Sequence, residues 1–262
     1  MLESKYGDVS VTLDDHVAIL EIHRPPRNFF DFNLIHDLAD AFEALDQTPE
    51  CRALMLCSEG KSFCAGANFA NRGAQSGEAP ARPGENPLYI EGVRLFRCKK
   101  PVVAAVQGAA IGGGFGLALV ADFRVATADA RFAANFVKLG IHPGFGLTYT
   151  LPRLIGVQKA RLMFYTGRRI EGKEALAWGL CDQLVEPDDL RDAALTLAEE
   201  IAEGAPLALL STRATMRQGL ADAVKAQTDH EFKEQSWLFK TEDHREGVKA
   251  VTERRPGKFL GK

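Results

Sequence analysis

Two glycine-rich stretches are where this chain could do chemistry. Phe63-Cys64-Ala65-Gly66-Ala67-Asn68 and Ile111-Gly112-Gly113-Gly114-Phe115-Gly116 each follow a short apolar run. Small side chains leave the backbone N–H groups open to a ligand. At a strand-to-helix turn several amides can point one way, reinforced by the positive end of the following helix. A tight turn with close helix packing would give the same residues, so neither stretch is decisive alone. Two of them after consecutive buried strands can set two N–H donors around one oxygen, the arrangement that stabilises an oxyanion. Cys64 lies beside the first stretch, and nothing near it in sequence marks an activated thiolate.

The elements that must position these turns follow from periodicity. Val9 to Leu13 and Val17 to Ile22 alternate apolar and polar residues around Asp14-Asp15, which predicts a hairpin. Two prolines in His23-Arg24-Pro25-Pro26-Arg27-Asn28 stop the second strand. Asn33 is the expected N-cap of a helix carrying Leu34, Leu38, Phe42 and Leu45. Ala53 to Cys57 and Val102 to Val106 read as buried strands, with a loop over Arg72 to Pro87 and a helix over Leu88 to Arg97 between them. A small-residue helix is expected over Leu117 to Ala121, then short strands at Phe123 to Ala126 and Arg131 to Ala133. Beyond Leu147 the reading is almost wholly helical, with helices over Asp188 to Glu203, Leu207 to Ala226 and Asp229 to Phe239. The order predicts an α/β fold with an all-α end.

Bulk properties narrow the class. A length of 262 residues with 46% hydrophobic and 26% charged side chains suits a globular enzyme-sized chain. A formal charge of −3 gives no general attraction for a polyanion, so nucleic acid is not the expected partner. Five scattered cysteines without a CxxC pair suggest neither a disulfide framework nor a metal site. A cytoplasmic location is expected, with no signal peptide and no membrane partner, since no apolar run reaches the roughly 18 residues of a span.

Several motifs resemble, in order, those of the crotonase (enoyl-CoA hydratase/isomerase) superfamily. They are Ile22-His23-Arg24-Pro25 through Phe63-Cys64-Ala65-Gly66-Ala67, Lys100-Pro101-Val102-Val103-Ala104-Ala105-Val106-Gln107-Gly108, and Gly112-Gly113-Gly114. Ala121-Asp122-Phe123-Arg124-Val125-Ala126, Leu151-Pro152-Arg153-Leu154-Ile155-Gly156 and the tail from Glu242 to Phe259 continue the series across nearly the whole chain. The resemblance implies a superhelix of ββα units over residues 1–200, with a helical trimerisation and coenzyme-covering region over 201–262. It implies a coenzyme A thioester as substrate, no cofactor beyond it, and self-association as a homotrimer or hexamer. The N–H groups of Ala67 and Gly113 would be the oxyanion donors. Arg24, Arg27 and Ala65 would contact coenzyme A, as would Phe259 and Lys262, a pair often supplied in the family by a neighbouring subunit.

The chain departs from that pattern at the catalytic carboxylates. Hydratases of the superfamily carry two glutamates; the matching positions here are Gly116 and Phe136, whose side chains can neither give nor take a proton. Two-glutamate hydration is therefore not expected. Other candidates for moving protons are His142, a side-chain type that titrates near neutrality, and Tyr89 and Glu91 on the helix before Lys99-Lys100-Pro101. Tyr89 matches the position of a histidine base in the related 4-chlorobenzoyl-CoA dehalogenases, but Gly144 replaces their nucleophilic aspartate, which excludes dehalogenation. Asn68 takes a place often held by a structural aspartate. Phe115, Phe136 and Phe145 suggest an apolar acyl pocket. Isomerisation, hydration by another base, thioester hydrolysis, decarboxylation and C–C cleavage stay open. Non-catalytic acyl-CoA binding is the alternative; RNA binding, known in a few superfamily members, is disfavoured by the acidic balance.

Overall fold

Two strands of five and six residues, Val102–Val106 and Ala53–Ser58, apolar but for Ser58, are buried along their whole length, as strands covered on both faces must be. A computed structural model describes residues 2–68 and 84–262 and places these two strands, β5 and β4, side by side and parallel. Most of the expected loop from Arg72 to Pro87 lies outside the described residues, and Pro87 itself opens a helix. The large sheet begins with β1 (Lys5–Tyr6), β2 (Val9–Asp14) and β3 (Val17–Ile22), and ends with β7 (Phe123–Thr127) and β10 (Gln183–Val185). Its order is β1-β2-β3-β4-β5-β7-β10, antiparallel up to β3 and parallel from there. In the β2–β3 hairpin the turn residues Asp15 and His16 take positive φ, which suits the twist of a tight connection.

A second sheet runs beside it: β6 (Ala109–Ile111), β8 (Arg131–Ala133) and β9 (Arg169–Glu171), in that order. Cys64 extends it through a parallel bridge to Ala110. Successive passes of the chain thus give one strand to the large sheet and one short segment to the small one: β4 then Cys64, β5 then β6, β7 then β8. Each crossing between the sheets is a turn, and the two glycine-rich stretches carry the chain away from the small sheet, just after Cys64 and just after β6.

The helices wrap both faces. α1 (Phe32–Asp46) and α2 (Pro87–Phe96) pack together on one side. α3 (Gly113–Ala118) follows β6, and α4 (Leu147–Ile155) and α5 (Val157–Thr166) follow the 3-10 turn Asn135–Leu139. The short α6 (Gly172–Ala177) leads to β10, and α7 (Leu190–Ala202) covers the other face of the large sheet. There Leu190, Ala194, Ala198 and Ala202 meet Val17, Met55, Val103 and Val125. α8 (Pro206–Met216), α9 (Leu220–Leu238) and α10 (Glu242–Thr252) complete the chain. The expected division at residue 200 falls inside α7. Among the described residues no helix is long and apolar enough to cross a membrane.

Several local expectations are corrected. The N-cap of α1 is Asp31, whose carboxylate accepts from the Leu34 N–H at 3.0 Å; Asn33 already lies inside the helix. The small-residue helix starts at Gly113 rather than Leu117, because the Gly112 turn at φ 57° delivers the chain directly into helical geometry. The break among the last helices falls at Gly219, φ 73°, and not between Ala226 and Asp229, so α9 is one long helix. β9 and β10, three residues each, went unpredicted because neither is long enough to show a period. All five cysteines are buried free thiols.

Candidate active site

The segment Arg24–Phe30 is stitched to the first glycine-rich turn. The Ala65 N–H donates to the Arg27 carbonyl at 2.9 Å and the Phe30 N–H to the Gly66 carbonyl at 3.2 Å. Asn28, fully buried, donates from Nδ2 to the carbonyls of Glu59 and Ser62 at 2.8 and 2.7 Å. The second turn is joined to the first through the Ile111 N–H, which donates to the Cys64 carbonyl at 3.0 Å. Gly66, at φ 76°, permits the closest approach: a Cβ there would stand 2.5 Å from the Ile111 oxygen and 3.6 Å from the Gly113 nitrogen.

The Gly113 amide is therefore held beside the first turn, next to the residue that precedes Ala67. Among the described residues neither the Ala67 nor the Gly113 N–H has a hydrogen-bond partner. For Gly113 this follows from its place at the start of α3, where the first amides have no carbonyl to bond within the helix. Two open donors lie on adjoining turns, which is what charge on a ligand oxygen requires.

Aromatic rings enclose these turns. Phe30 packs directly on Gly113, where a Cβ would come 2.0 Å from its ring. Phe145 lies against Phe30 with centroids 5.5 Å apart, Tyr89 meets Phe145 edge-on at 6.5 Å, and Phe232 meets Tyr89 at 6.4 Å. Phe145 takes φ 62°, a left-handed conformation that a bulky side chain adopts only when its surroundings demand it. The space it fills is that above Gly116, where a Cβ would meet the Phe145 ring at 2.8 Å and its backbone oxygen at 3.2 Å. Gly116→Ala should therefore destabilise the protein. Overpacking costs about 1–3 kcal/mol, against about 1 kcal/mol gained from helix propensity. A melting temperature equal to or above that of the parent would contradict this packing.

The other candidates separate into groups. The Tyr89 hydroxyl donates to Gln235 Oε1 at 2.8 Å, and burial, with Glu231 nearby, raises its phenol above the ordinary range, so it stays neutral and committed. Glu91 bonds His36 at 3.1 Å and pairs with Arg94, an arrangement between α1 and α2. Arg24 is taken by Asp8 at 2.6 Å and Asp31 at 2.8 Å, whereas Arg27 is exposed, its guanidinium 5.8 Å from the Phe29 ring centroid. Phe136 is 8% exposed, and Phe115 lies in the core against Phe132 rather than with Phe145. Burial pushes the Cys64 thiol up to about 12, so it stays protonated.

His142, Phe259 and Lys262 are brought together elsewhere, on a cleft of about 850 Å³ between α4, α5, the end of α9 and the C-terminal tail. Neither Ala67 nor Gly113 lines it. His142 Nδ1 lies 2.7 Å from the Pro143 carbonyl oxygen, and its ring meets His230 edge-on. The candidate residues thus fall in two places, at the glycine turns with Ala65 and Arg27, and along the tail cleft.

Sequence reading missed Phe30, Glu231 and Gln235. Glu231 is fully buried and accepts from the Gly146 N–H at 2.8 Å, the Thr148 N–H at 3.1 Å and the Thr148 hydroxyl at 2.5 Å. Burial pushes its carboxyl up to about 7, although those three donors pull the other way. Gln235, one turn along, joins Tyr89 to the His142 carbonyl, donating to the latter at 2.8 Å. A signal existed: Val224, Thr228, Glu231 and Gln235 fall at helical spacing on one face of α9 and are its buried residues.

Comparison with known proteins places the chain in a family. The sequence profile of the family described as enoyl-CoA hydratase/isomerase matches residues 12–262. A crotonyl-CoA hydratase of Syntrophomonas wolfei is 33% identical over 262 residues, covering 98% of this chain and 99% of its own. A carnitinyl-CoA dehydratase of Proteus mirabilis is also 33% identical, covering 97% and 99%. The crystal structure of a carnitinyl-CoA hydratase from Mycobacterium avium superposes with a TM-score of 0.86 at 30% identity, over 97% of this chain and 99% of that one. The chain therefore belongs to the enoyl-CoA hydratase/isomerase family and has the crotonase fold.

Proposed function

We propose that this protein is an acyl-CoA-processing enzyme in which the Ala67 and Gly113 N–H groups stabilise negative charge on the thioester oxygen. The observation that carries this reading is the pair of amides, unpartnered among the described residues, on turns held together by Gly66. With two donors the oxygen can bear the charge of an enolate or a tetrahedral adduct. Phe30, Phe145 and Phe136 give the acyl group apolar walls, favouring an aliphatic or aromatic acyl chain over a dicarboxylate. Arg27 and Ala65 receive the coenzyme portion. Phe259 and Lys262, set apart on the tail cleft, serve the site of a neighbouring subunit in a trimer or hexamer. Tyr165, Trp237 and Leu260, apolar side chains exposed in that region, support such self-association.

By the family resemblance Gly116 and Phe136 stand where hydratases use glutamates, so two-glutamate hydration is not supported. Of the three proton-transfer candidates, Tyr89 and Glu91 are held by other groups and His142 lies on the tail cleft, so the acid or base at the glycine turns is not assigned to any of them. Double-bond isomerisation, hydration through another base, thioester hydrolysis and C–C cleavage all fit an oxyanion stabilised in this way.

A second reading, acyl-CoA binding without turnover, is favoured by one observation: Phe145 occupies the space over Gly116 into which a side chain at that position would project. Incubation with a panel of acyl- and enoyl-CoA thioesters in heavy water, followed by mass spectrometry, separates the two. Deuterium at Cα or any product is the expected result. Intact, unlabelled thioesters that nonetheless bind would establish the second reading instead.

A further inference from the structure

Away from the glycine turns, the end of α2 and the α8–α9 corner enclose a cleft of about 540 Å³ lined by Arg97, Lys99, Arg213 and Arg217, with Phe96 and Ser211 beside them. Two of these cations, Arg213 and Arg217, are largely buried and share one carboxylate. Arg213 Nε donates to Asp122 Oδ2 at 2.9 Å, and Arg217 Nη1 donates to Asp122 Oδ1 at 2.8 Å. One positive charge in that trio is left without a counterion. Burial pulls the Arg217 guanidinium below its ordinary range although Asp122 opposes it. Asp122 itself, raised by burial, is held below the usual carboxylate range by Arg213 and Arg217.

The hydrogen-bond ledger is short on the same side chains. Arg217 Nε, Arg217 Nη2 and Arg213 Nη2 are buried and have no hydrogen-bond partner, whereas buried polar atoms in folded proteins nearly always have one. Arg213 Nη2 does lie 2.9 Å from Asp122 Oδ2, an ion-pair distance without hydrogen-bond alignment. The other carboxylates in the region do not supply the missing bonds. Asp222 is exposed and pairs loosely with Arg97 at 3.4 Å, and Asp46 accepts from the Lys99 backbone N–H at 3.0 Å. The unpartnered donors and the unbalanced charge thus lie on the same two side chains.

We propose that this cleft binds a phosphate-type oxyanion, with Arg217 and Arg213 forming its inner wall and Arg97 and Lys99 its rim. The excess positive charge of Arg213 and Arg217 over Asp122, with Arg97 and Lys99 exposed at the mouth of the cleft, suits a compact anion of more than one charge. The anion would complete the charge balance around Asp122 and tie α8 and α9 to the end of α2.

Calorimetric titration with inorganic phosphate, at constant ionic strength maintained with chloride, tests this on the intact protein. The expected result is one saturable site, weakened about tenfold in Arg217→Gln and also in Lys99→Ala, since each removes a charged donor. Lys99 is exposed, so its variant reports on binding even where the Arg217 variant folds poorly. Arg27→Ala, placed at the proposed coenzyme site, should leave this phosphate binding unchanged. Repeating the titration with glycerol phosphate tells a phosphate ester from free phosphate as the ligand that fits better. Absence of a saturable heat, or equal affinity in the parent and both cleft variants, would overturn the proposal.

Discussion

Ala67→Pro is expected to lower kcat/KM on the responsive thioester by about 10²–10³-fold, the usual cost of deleting one oxyanion donor. Proline has no N–H, and Ala67 contributes nothing to the site but that hydrogen and a methyl group. Its amide has no partner among the described residues, so its removal strands no acceptor there. The loss should fall mainly on kcat, because the donor acts on charge that develops after binding. Proline also restricts the residue before it, and Gly66 sits at φ 76°. An ester in place of the Gly66–Ala67 amide removes the same hydrogen without the ring and is the cleaner form of the experiment. Full activity in a folded ester variant would mean that the oxygen is stabilised elsewhere.

Glu231 should give the protein a pH-dependent stability that Glu231→Gln lacks. Its carboxyl is raised from an ordinary 4.5 to about 7, so the folded state favours the neutral form. The stabilising contribution is then complete below pH 4.5 and is lost as pH rises through 7. A shift of that size corresponds to about 3 kcal/mol. Urea unfolding of the parent at about pH 4.5 and about pH 8 should show that loss, and the glutamine variant should be flatter by a similar amount. Parallel curves for the two proteins would contradict the assignment. Glu231→Ala is a different perturbation, since it strands the Gly146 and Thr148 donors that fix the start of α4 beside Phe145.

The fold and the glycine turns were legible in the sequence because each rests on a local requirement. A hairpin needs alternation, a buried parallel strand needs an unbroken apolar run, and a turn that approaches another backbone needs Gly66 or Gly114. Contacts between residues far apart in sequence left no such mark. Phe30 meets Gly113 and Glu231 meets Gly146 only after the chain has folded, and nothing in the neighbourhood of either residue announces its partner. The same holds for His142: its loop was visible, but its grouping with Phe259 and Lys262 is a property of the tail. Glu91 shows the converse, a carboxylate well placed on its helix whose side chain is taken by the arginine one turn on.

The five enclosed cysteines make the molecule its own unfolding clock. Burial pushes Cys51 up to about 11 and Cys57, Cys64, Cys98 and Cys181 up to about 12, so at neutral pH essentially no thiolate is offered to an alkylating reagent. Labelling must wait for the chain to open. Cys57 lies on the sheet face under α7, and Cys51, Cys64, Cys98 and Cys181 lie in the main core, so the order in which they become modified would chart which layer of the protein peels away first.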